Sequence, residues 1–218
     1  MIKIAPSILS ADFARLGEEI ARVDRTGAGM IHIDVMDGVF VPNITLGLPV
    51  VKSVRPYSAL PFDVHLMIVD PWKYTAQFVQ AGGDYVTFHL EAVEDPARVV
   101  ETLKEIRSLG AKAGLSIKPA TPASALFPYL EYLDMIMVMT VEPGFGNQKM
   151  MPECLDKVQE LRAEAERRGY NILLAIDGGM NASTKEMVWA AGVDMAVAGS
   201  AVFGAADATE MIRVLGGA

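Results

Sequence analysis

Eight times along this chain a short apolar run gives way to a longer amphipathic stretch, and that alternation limits the fold more than any other feature of the sequence. The runs IKIAPSIL, MIHIDVM, PFDVHLM, DYVTFHL, AKAGLSI, DMIMVMT, NILLAID and VDMAVAG have the length and apolar content of strands buried on both faces. The segments that follow them place apolar residues at helical spacing: ADFARLGEEIARVDRTG, LPVVKSVRP, PWKYTAQFVQAGG, DPARVVETLKEIRSLG, PASALFPYL, MPECLDKVQELRAEAERRG, NASTKEMVWAAG and ADATEMIRVLGG. Gly27 stops the first of these and Pro71 opens the third. Such alternation implies a parallel sheet with right-handed crossovers. Eight units in roughly 200–250 residues fit a closed (β/α)8 TIM barrel. An open doubly wound sheet is the competitor, but it would more often carry a G-x-G-x-x-G turn after its first strand. Here that turn reads LSADF. No linker or shift of composition divides the chain, so the expectation is one barrel domain over residues 1–218.

The composition agrees with an ordinary soluble globule with a sizeable core, with 51% hydrophobic and 21% charged residues. The net charge, 19 − 27 = −8, argues against a nucleic-acid partner, which selects basic surfaces. One cysteine, Cys154, leaves no disulfide within the chain and fits a reducing compartment. The N-terminal MIKIAPSILS lacks the basic region and longer apolar run of a signal peptide, and no apolar run approaches membrane-spanning length. These features predict a cytoplasmic protein with no membrane partner.

Within this frame the stretch MIHIDVMDGVFVPN (residues 30–43) is unusual, because a buried strand is a costly place for a histidine and a carboxylate. Side chains two apart on a strand share a face, so His32, Asp34 and Met36 point together, as do His65 and Met67 on the third strand. Asp177 ends the seventh strand and Met139 the sixth. The bland reading of a lone strand histidine is a core residue with a satisfied hydrogen bond. Two histidines and two carboxylates near strand C-termini form a less ordinary set, placed where barrels of this type keep their active sites. Such a mixed N/O set suits Zn²⁺, Fe²⁺, Mn²⁺ or Co²⁺. His89 has no such partners in the sequence and reads as lining or support. Met36, Met67 and Met139 read as core fillers that, beside a metal set, would also form an apolar wall against a substrate. Three glycine-rich turns, EPGFGNQ, DGGMN and AGS, follow the last three strands. Loops after strands seven and eight are the usual phosphate cradle of these barrels.

The motifs PSILSADF, HIDVMDG-FVPN, FDVHLM, TVEPGFG-Q, DGG-N and AGSAVF, in this order from about Ile4 to Phe203, resemble those of the ribulose-phosphate 3-epimerase family. The resemblance implies a (β/α)8 barrel that binds one divalent metal, usually zinc, with iron, manganese or cobalt also accepted. It implies His32, Asp34, His65 and Asp177 as ligands, Asp34 and Asp177 doubling as the acid/base pair. Ser7 and His65 would contact substrate. Gly144, Phe145, Gly146, Asn147, Gly178, Gly179, Gly199 and Ser200 would lie around the sugar phosphate. The partner implied is a small ketose phosphate, and the assembly a homo-oligomer, dimer or hexamer. Two positions depart from the family pattern: Val39 stands where histidine is frequent, and Asn147 replaces a glycine. Asparagine tolerates left-handed backbone angles better than most residues.

Epimerisation at C3 of ribulose 5-phosphate removes a proton beside the C2 carbonyl and returns one on the opposite face. That calls for a carboxylate per face and for a cation to stabilise the enediolate between the steps. Asp34 is expected as first acceptor and Asp177 as donor in the direction of xylulose 5-phosphate, with Asp37 a brace. The alternatives are a 3-epimerase of a related ketose phosphate such as allulose 6-phosphate, a metal-free decarboxylase on the same barrel, and a catalytically silent phosphosugar binder.

Overall fold

The eight predicted strands form as β1 (Lys3–Pro6), β2 (Ile31–Met36), β3 (Phe62–Met67), β4 (Tyr85–His89), β5 (Lys112–Ile117), β6 (Met135–Met139), β7 (Leu173–Asp177) and β8 (Met195–Ala198). This is a computed structural model, and it describes residues 1–217; Ala218, the last residue of the expected domain, lies outside them. All strands are parallel, in the order β1-β8-β7-β6-β5-β4-β3-β2. The two edges meet at a parallel bridge between Ser7 and His32, with Gly29 donating to the Ile4 carbonyl at 2.8 Å below it. The result is a nearly closed (β/α)8 barrel.

Because side chains alternate along each strand, the two faces of the barrel wall pack separately. Ile4, Ile31, Ile33, Val35, Phe62, Val64, Leu66, Val86 and Phe88 pack with the helices in the larger, outer core. Burying each such side chain contributes about 1.5–3 kcal/mol. The other face of the strands supplies Ala5, Met135, Met137, Ala175, Met195 and Val197, which with Met30 fill the barrel interior. Flexible methionines beside small alanines suit the tapering space.

The helices are α1 (Leu16–Asp24), α2 (Leu48–Val54), α3 (Thr75–Gln80), α4 (Pro96–Ser108), α5 (Leu155–Arg168), α6 (Lys185–Ala190), α7 (Ser200–Phe203) and α8 (Ala208–Gly216). α4 starts as its sequence suggests, with the Asp95 side chain accepting from Ala97 N and Pro96 in the first turn. Several expected elements are shorter. The first strand stops at Pro6, where Ser7 caps a 3-10 turn over Ile8–Ser10. The helix expected in residues 122–130 is instead 3-10 across Ala123–Tyr132. Pro128 lies inside it, and its ring and missing N–H oppose an α-helical ladder. The turn DGGMN does not open a helix directly: Asn181 organises a bend by accepting from Ser183 N, and α6 begins only at Lys185.

Above the methionine floor lies a polar layer. His32, Asp63 and Thr87 are all buried, and Thr87 Oγ1 donates to Asp63 Oδ1 at 3.3 Å. Gly114, opposite Thr87 on β5, has no room for a side chain: a Cβ there would run into Thr87 Oγ1 and lie 3.0 Å from its Cβ. Gly114→Ala is therefore expected to lower stability by about 1–3 kcal/mol, read as a shift in the urea-unfolding midpoint. An unchanged midpoint would show that Thr87 can swing clear of its place in the layer.

Candidate metal and substrate site

Register delivers the chemistry to one end of the barrel. Asp34 pairs with His65 across β2 and β3, and Met36 with Met67 one step further along the same face. Asp177 pairs with Met139 and with Val197. His32 Nε2 lies 3.1 Å from Asp34 Oδ1 and 3.8 Å from Asp177 Oδ2. His65 Nδ1 lies 3.5 Å from Asp34 Oδ1 and 3.6 Å from Asp177 Oδ2. Both histidines are fully buried, while the aspartate side chains are 5% and 15% exposed. The imidazoles thus form the floor and the carboxylates the surface a ligand would meet.

The four residues fit a cation on geometry. One ligand atom from each of His32, Asp34, His65 and Asp177 lies within 4.8 Å of all the others. His65 Nδ1 is buried with no well-formed hydrogen bond, although it faces two carboxylates. A buried polar atom left so is uncommon and calls for a partner. Two neutral imidazole nitrogens and two carboxylate oxygens are an ordinary donor set for a divalent transition metal or zinc.

Charges at such depth must be compensated, and each is. Burial alone would raise the Asp34 carboxyl, but the charge and hydrogen bond of His32, with His65, overcome it and hold Asp34 well below the usual carboxylate range. Burial would likewise depress His32, yet the Asp34 and Asp63 carboxylates raise it. For His65 the facing Asp177 and Asp34 outweigh burial in the same direction. Ser7 Oγ donates to Asp34 Oδ2 at 2.6 Å from across the barrel seam.

Each imidazole has a support on its far side. Asp63 Oδ2 accepts from His32 Nδ1 at 2.8 Å, leaving Nε2 to face the cluster. His65 Nε2 meets His89 Nε2 at 3.0 Å, and His89 Nδ1 meets Glu91 Oε2 at 3.3 Å. Burial takes the His89 imidazole down to about 4, so it is neutral at ordinary pH. The Phe40 ring covers it, centroids 4.9 Å apart. Asp37 accepts from Val39 N, Phe40 N and Val69 N at 2.8–2.9 Å, which ties the loops after β2 and β3 together.

A cavity of about 710 Å³, counting its open mouth, lies over the cluster. Ser7, Asp34, Met36, Met67, Met139, Gly144, Phe145, Gly146, Asn147, Asp177, Gly178, Gly179, Gly199 and Ser200 all line it. His32 and His65 do not line it, both being fully buried. Asn147 adopts φ 63°, so the left-handed turn survives the change from glycine. Gln148 Nε2 pins this loop by donating to the carbonyls of Glu142 and Phe145 at 2.6 and 2.8 Å, and Asn43 Nδ2 donates to the Gly144 carbonyl at 2.8 Å. Gly179 is required on packing grounds alone, with φ 70° and Met150 N only 2.6 Å from where a Cβ would stand. Val39 is 73% exposed and lies outside the cavity lining.

Sequence reasoning missed Asp63 and Glu91. The signal for Asp63 was present, since it stands two residues before His65 on the same strand face. Glu91 lies beyond the end of β4, where no periodicity applies.

The description "Ribulose-phosphate 3 epimerase family" belongs to a family model that matches residues 3–203. A ribulose-phosphate 3-epimerase of Mycobacterium tuberculosis is 49% identical over 212 residues, covering 97% of this chain and 90% of the relative. A ribulose-phosphate 3-epimerase of Bacillus subtilis is 46% identical over 218 residues, covering 100% and 99%. Among solved structures, a 3-hexulose-6-phosphate synthase from Salmonella typhimurium superposes with a TM-score of 0.67 at 20% identity, covering 99% of this chain and 97% of that one. That likeness speaks to the fold alone.

The support behind His65 generates a pH signature. Burial would raise Glu91, but hydrogen bonds from His89, Thr121 and Lys118 N bring it from 4.5 down to about 2. A carboxyl depressed on folding contributes stability above its unfolded value and loses it as pH falls through the folded one. The stability difference between the wild type and Glu91→Gln is therefore expected to shrink as pH falls from 4.5 toward 2, measured by urea unfolding across that range. A difference that stays constant would show that the carboxylate is not held in this way.

Proposed function

The chain belongs to the ribulose-phosphate 3-epimerase family, and from that premise we propose a metal-dependent, two-base epimerisation of D-ribulose 5-phosphate and D-xylulose 5-phosphate at C3. The observation that carries this reading is the pair of carboxylates, Asp34 and Asp177, lining the cavity above two buried imidazoles. A pure binder of sugar phosphates has no use for two largely desolvated acids brought together from β2 and β7, and each costs desolvation.

His32, Asp34, His65 and Asp177 would hold one divalent ion, with Zn²⁺ favoured by the N/O donor set and Fe²⁺, Mn²⁺ or Co²⁺ compatible with it. When bound, the ion supplies Lewis-acid stabilisation of negative charge developing on neighbouring substrate oxygens. The residues do the remaining work. Asp34, kept ionised by His32, His65 and Ser7, takes the C3 proton in the ribulose-to-xylulose direction. Asp177, arriving from β7, returns a proton on the other face, and the reverse reaction exchanges their roles. Met36, Met67 and Met139 exclude water from the reacting carbon with an apolar wall that takes no part in proton exchange. The loops of Gly144–Asn147 and Gly178–Gly179, with Gly199 and Ser200, surround the phosphate. Burial of the lone cysteine, Cys154, in thiol form fits a cytoplasmic setting. Assembly as a dimer or hexamer is the family expectation, read directly by light scattering.

Asp34→Asn and Asp177→Asn are each expected to cut turnover about a hundredfold to ten-thousandfold with the fold retained by circular dichroism. Near-normal rates in both would overturn the two-base scheme. In deuterated water the label is expected at C3 of the sugar, and its absence after many turnovers would exclude proton exchange there. Asp63→Asn, which weakens the hold on His32 without touching the cavity, is expected to lower zinc affinity about 10–100-fold in a chelator competition. Rates on ribulose 5-phosphate and allulose 6-phosphate, measured side by side, decide between the pentose and hexose substrates.

A further inference from the structure

His32 and His65 are supported differently, and the difference assigns a task to residues outside both the cavity lining and the four-residue cluster. His32 donates to a carboxylate directly. On its Nε2 side His65 reaches a carboxylate only through a second imidazole, and that imidazole can relay in either of two directions. With its proton on Nδ1, His89 donates to Glu91 and its bare Nε2 accepts from His65 Nε2–H, which leaves His65 Nδ1 bare toward Asp34 and Asp177. With its proton on Nε2, His89 donates to His65 instead. The His65 proton is then driven to Nδ1, where it blocks a cation. The two Nε2 atoms are 3.0 Å apart, while the ring centroids are 5.0 Å apart with the planes 24° from parallel, so the closest approach runs nitrogen to nitrogen, within reach of a shared proton.

We propose that Glu91, acting through His89, is the positioning residue that selects the first of these arrangements and so keeps His65 Nδ1 open for a metal ion. The proposal rests on the metal centre advanced above. A carboxylate has only lone pairs to offer, so it rejects an unprotonated His89 Nδ1. Its orientation is also fixed. Glu91 Oε1 accepts from Lys118 N at 2.7 Å and from the Thr121 hydroxyl, so Oε2 is left for His89. The loop that carries these donors is held in turn by Lys157, whose Nζ donates to the carbonyls of Lys118, Pro119 and Thr121 at 3.2, 2.7 and 2.7 Å. Glu91 is thus set by the loop after β5, His89 by Glu91, and His65 by His89.

Glu91→Gln makes the claim testable with almost no change of shape. The Lys118 N–H demands an acceptor, so the amide oxygen takes the Oε1 place and the NH₂ group faces His89 Nδ1. A donor there favours the second arrangement. Zinc affinity, measured by competition with a chromophoric chelator, is expected to fall about 10–100-fold in this variant. The ring ¹⁵N shifts of labelled histidine are expected to place the His89 proton on Nδ1 in the wild type and on Nε2 in Glu91→Gln. His89→Gln, whose amide carbonyl can accept from His65 Nε2, is expected to bind zinc more tightly than His89→Leu, which offers no acceptor. Wild-type affinity in Glu91→Gln would overturn the proposal. So would a weakened site with the His89 proton still on Nδ1, because Glu91 would then act only by holding its loop. A wild-type protein that takes up no zinc or other divalent ion would overturn the metal centre itself, an outcome visible without any variant.

Discussion

Two carboxylates and two imidazoles taken out of water at one end of a barrel are the constraint from which most of this structure follows. An ion of that size moved unpaired into an apolar interior costs several kcal/mol even after relaxation, so none of the four can be left alone. Asp34 is answered by His32, His65 and Ser7, and His32 by Asp34 and Asp63. Apart from the His32–Asp34 contact within β2, these answers come from residues far apart in sequence, and only a sheet of fixed register brings them within hydrogen-bond reach. A slip of one residue on β2 would turn His32 and Asp34 into the outer apolar core and Ile33 into the site. The hydrophobic alternation that specifies the strands therefore also specifies the chemistry.

The same logic explains why small residues surround the polar layer. Gly114 yields space to Thr87, which steadies Asp63, which steadies His32. Gly179 yields space to the Met150 backbone at the cavity edge. Glycine at the mouth of such a barrel is easily read as a mark of phosphate, and some of it is in addition a plain requirement of packing.

What could be read in advance was whatever depends on periodicity. The strand count, the inward set on β2 and β3 and the end of β7 all follow from a repeat of two and from chain order, and the family motifs tie them to a ligand set. What could not be read depends on neighbours across the sheet. Nothing in the sequence says that His89 lies against His65, or that Glu91 reaches the loop after β5, because the pairing of β3 with β4 and β5 is what makes them adjacent. Pro128 was legible and overlooked: a proline in the middle of a short apolar stretch is itself an argument against an α-helix. The late start of α6 came from the local side-chain bonding of Asn181, a competition that apolar spacing does not reveal.

The seam between β1 and β2 is thinner than the other seven joints, resting on the Ser7–His32 bridge, the Gly29–Ile4 hydrogen bond and the Ser7–Asp34 hydrogen bond. It also lies at the mouth, and the inward residues on its two sides are unlike: His32 and Asp34 stand on one edge of the sheet, Asp177 two strands in from the other. Anything gripped by both groups fastens the hoop as a clasp does. By mass action, a guest that binds only the closed ring makes that ring harder to spring.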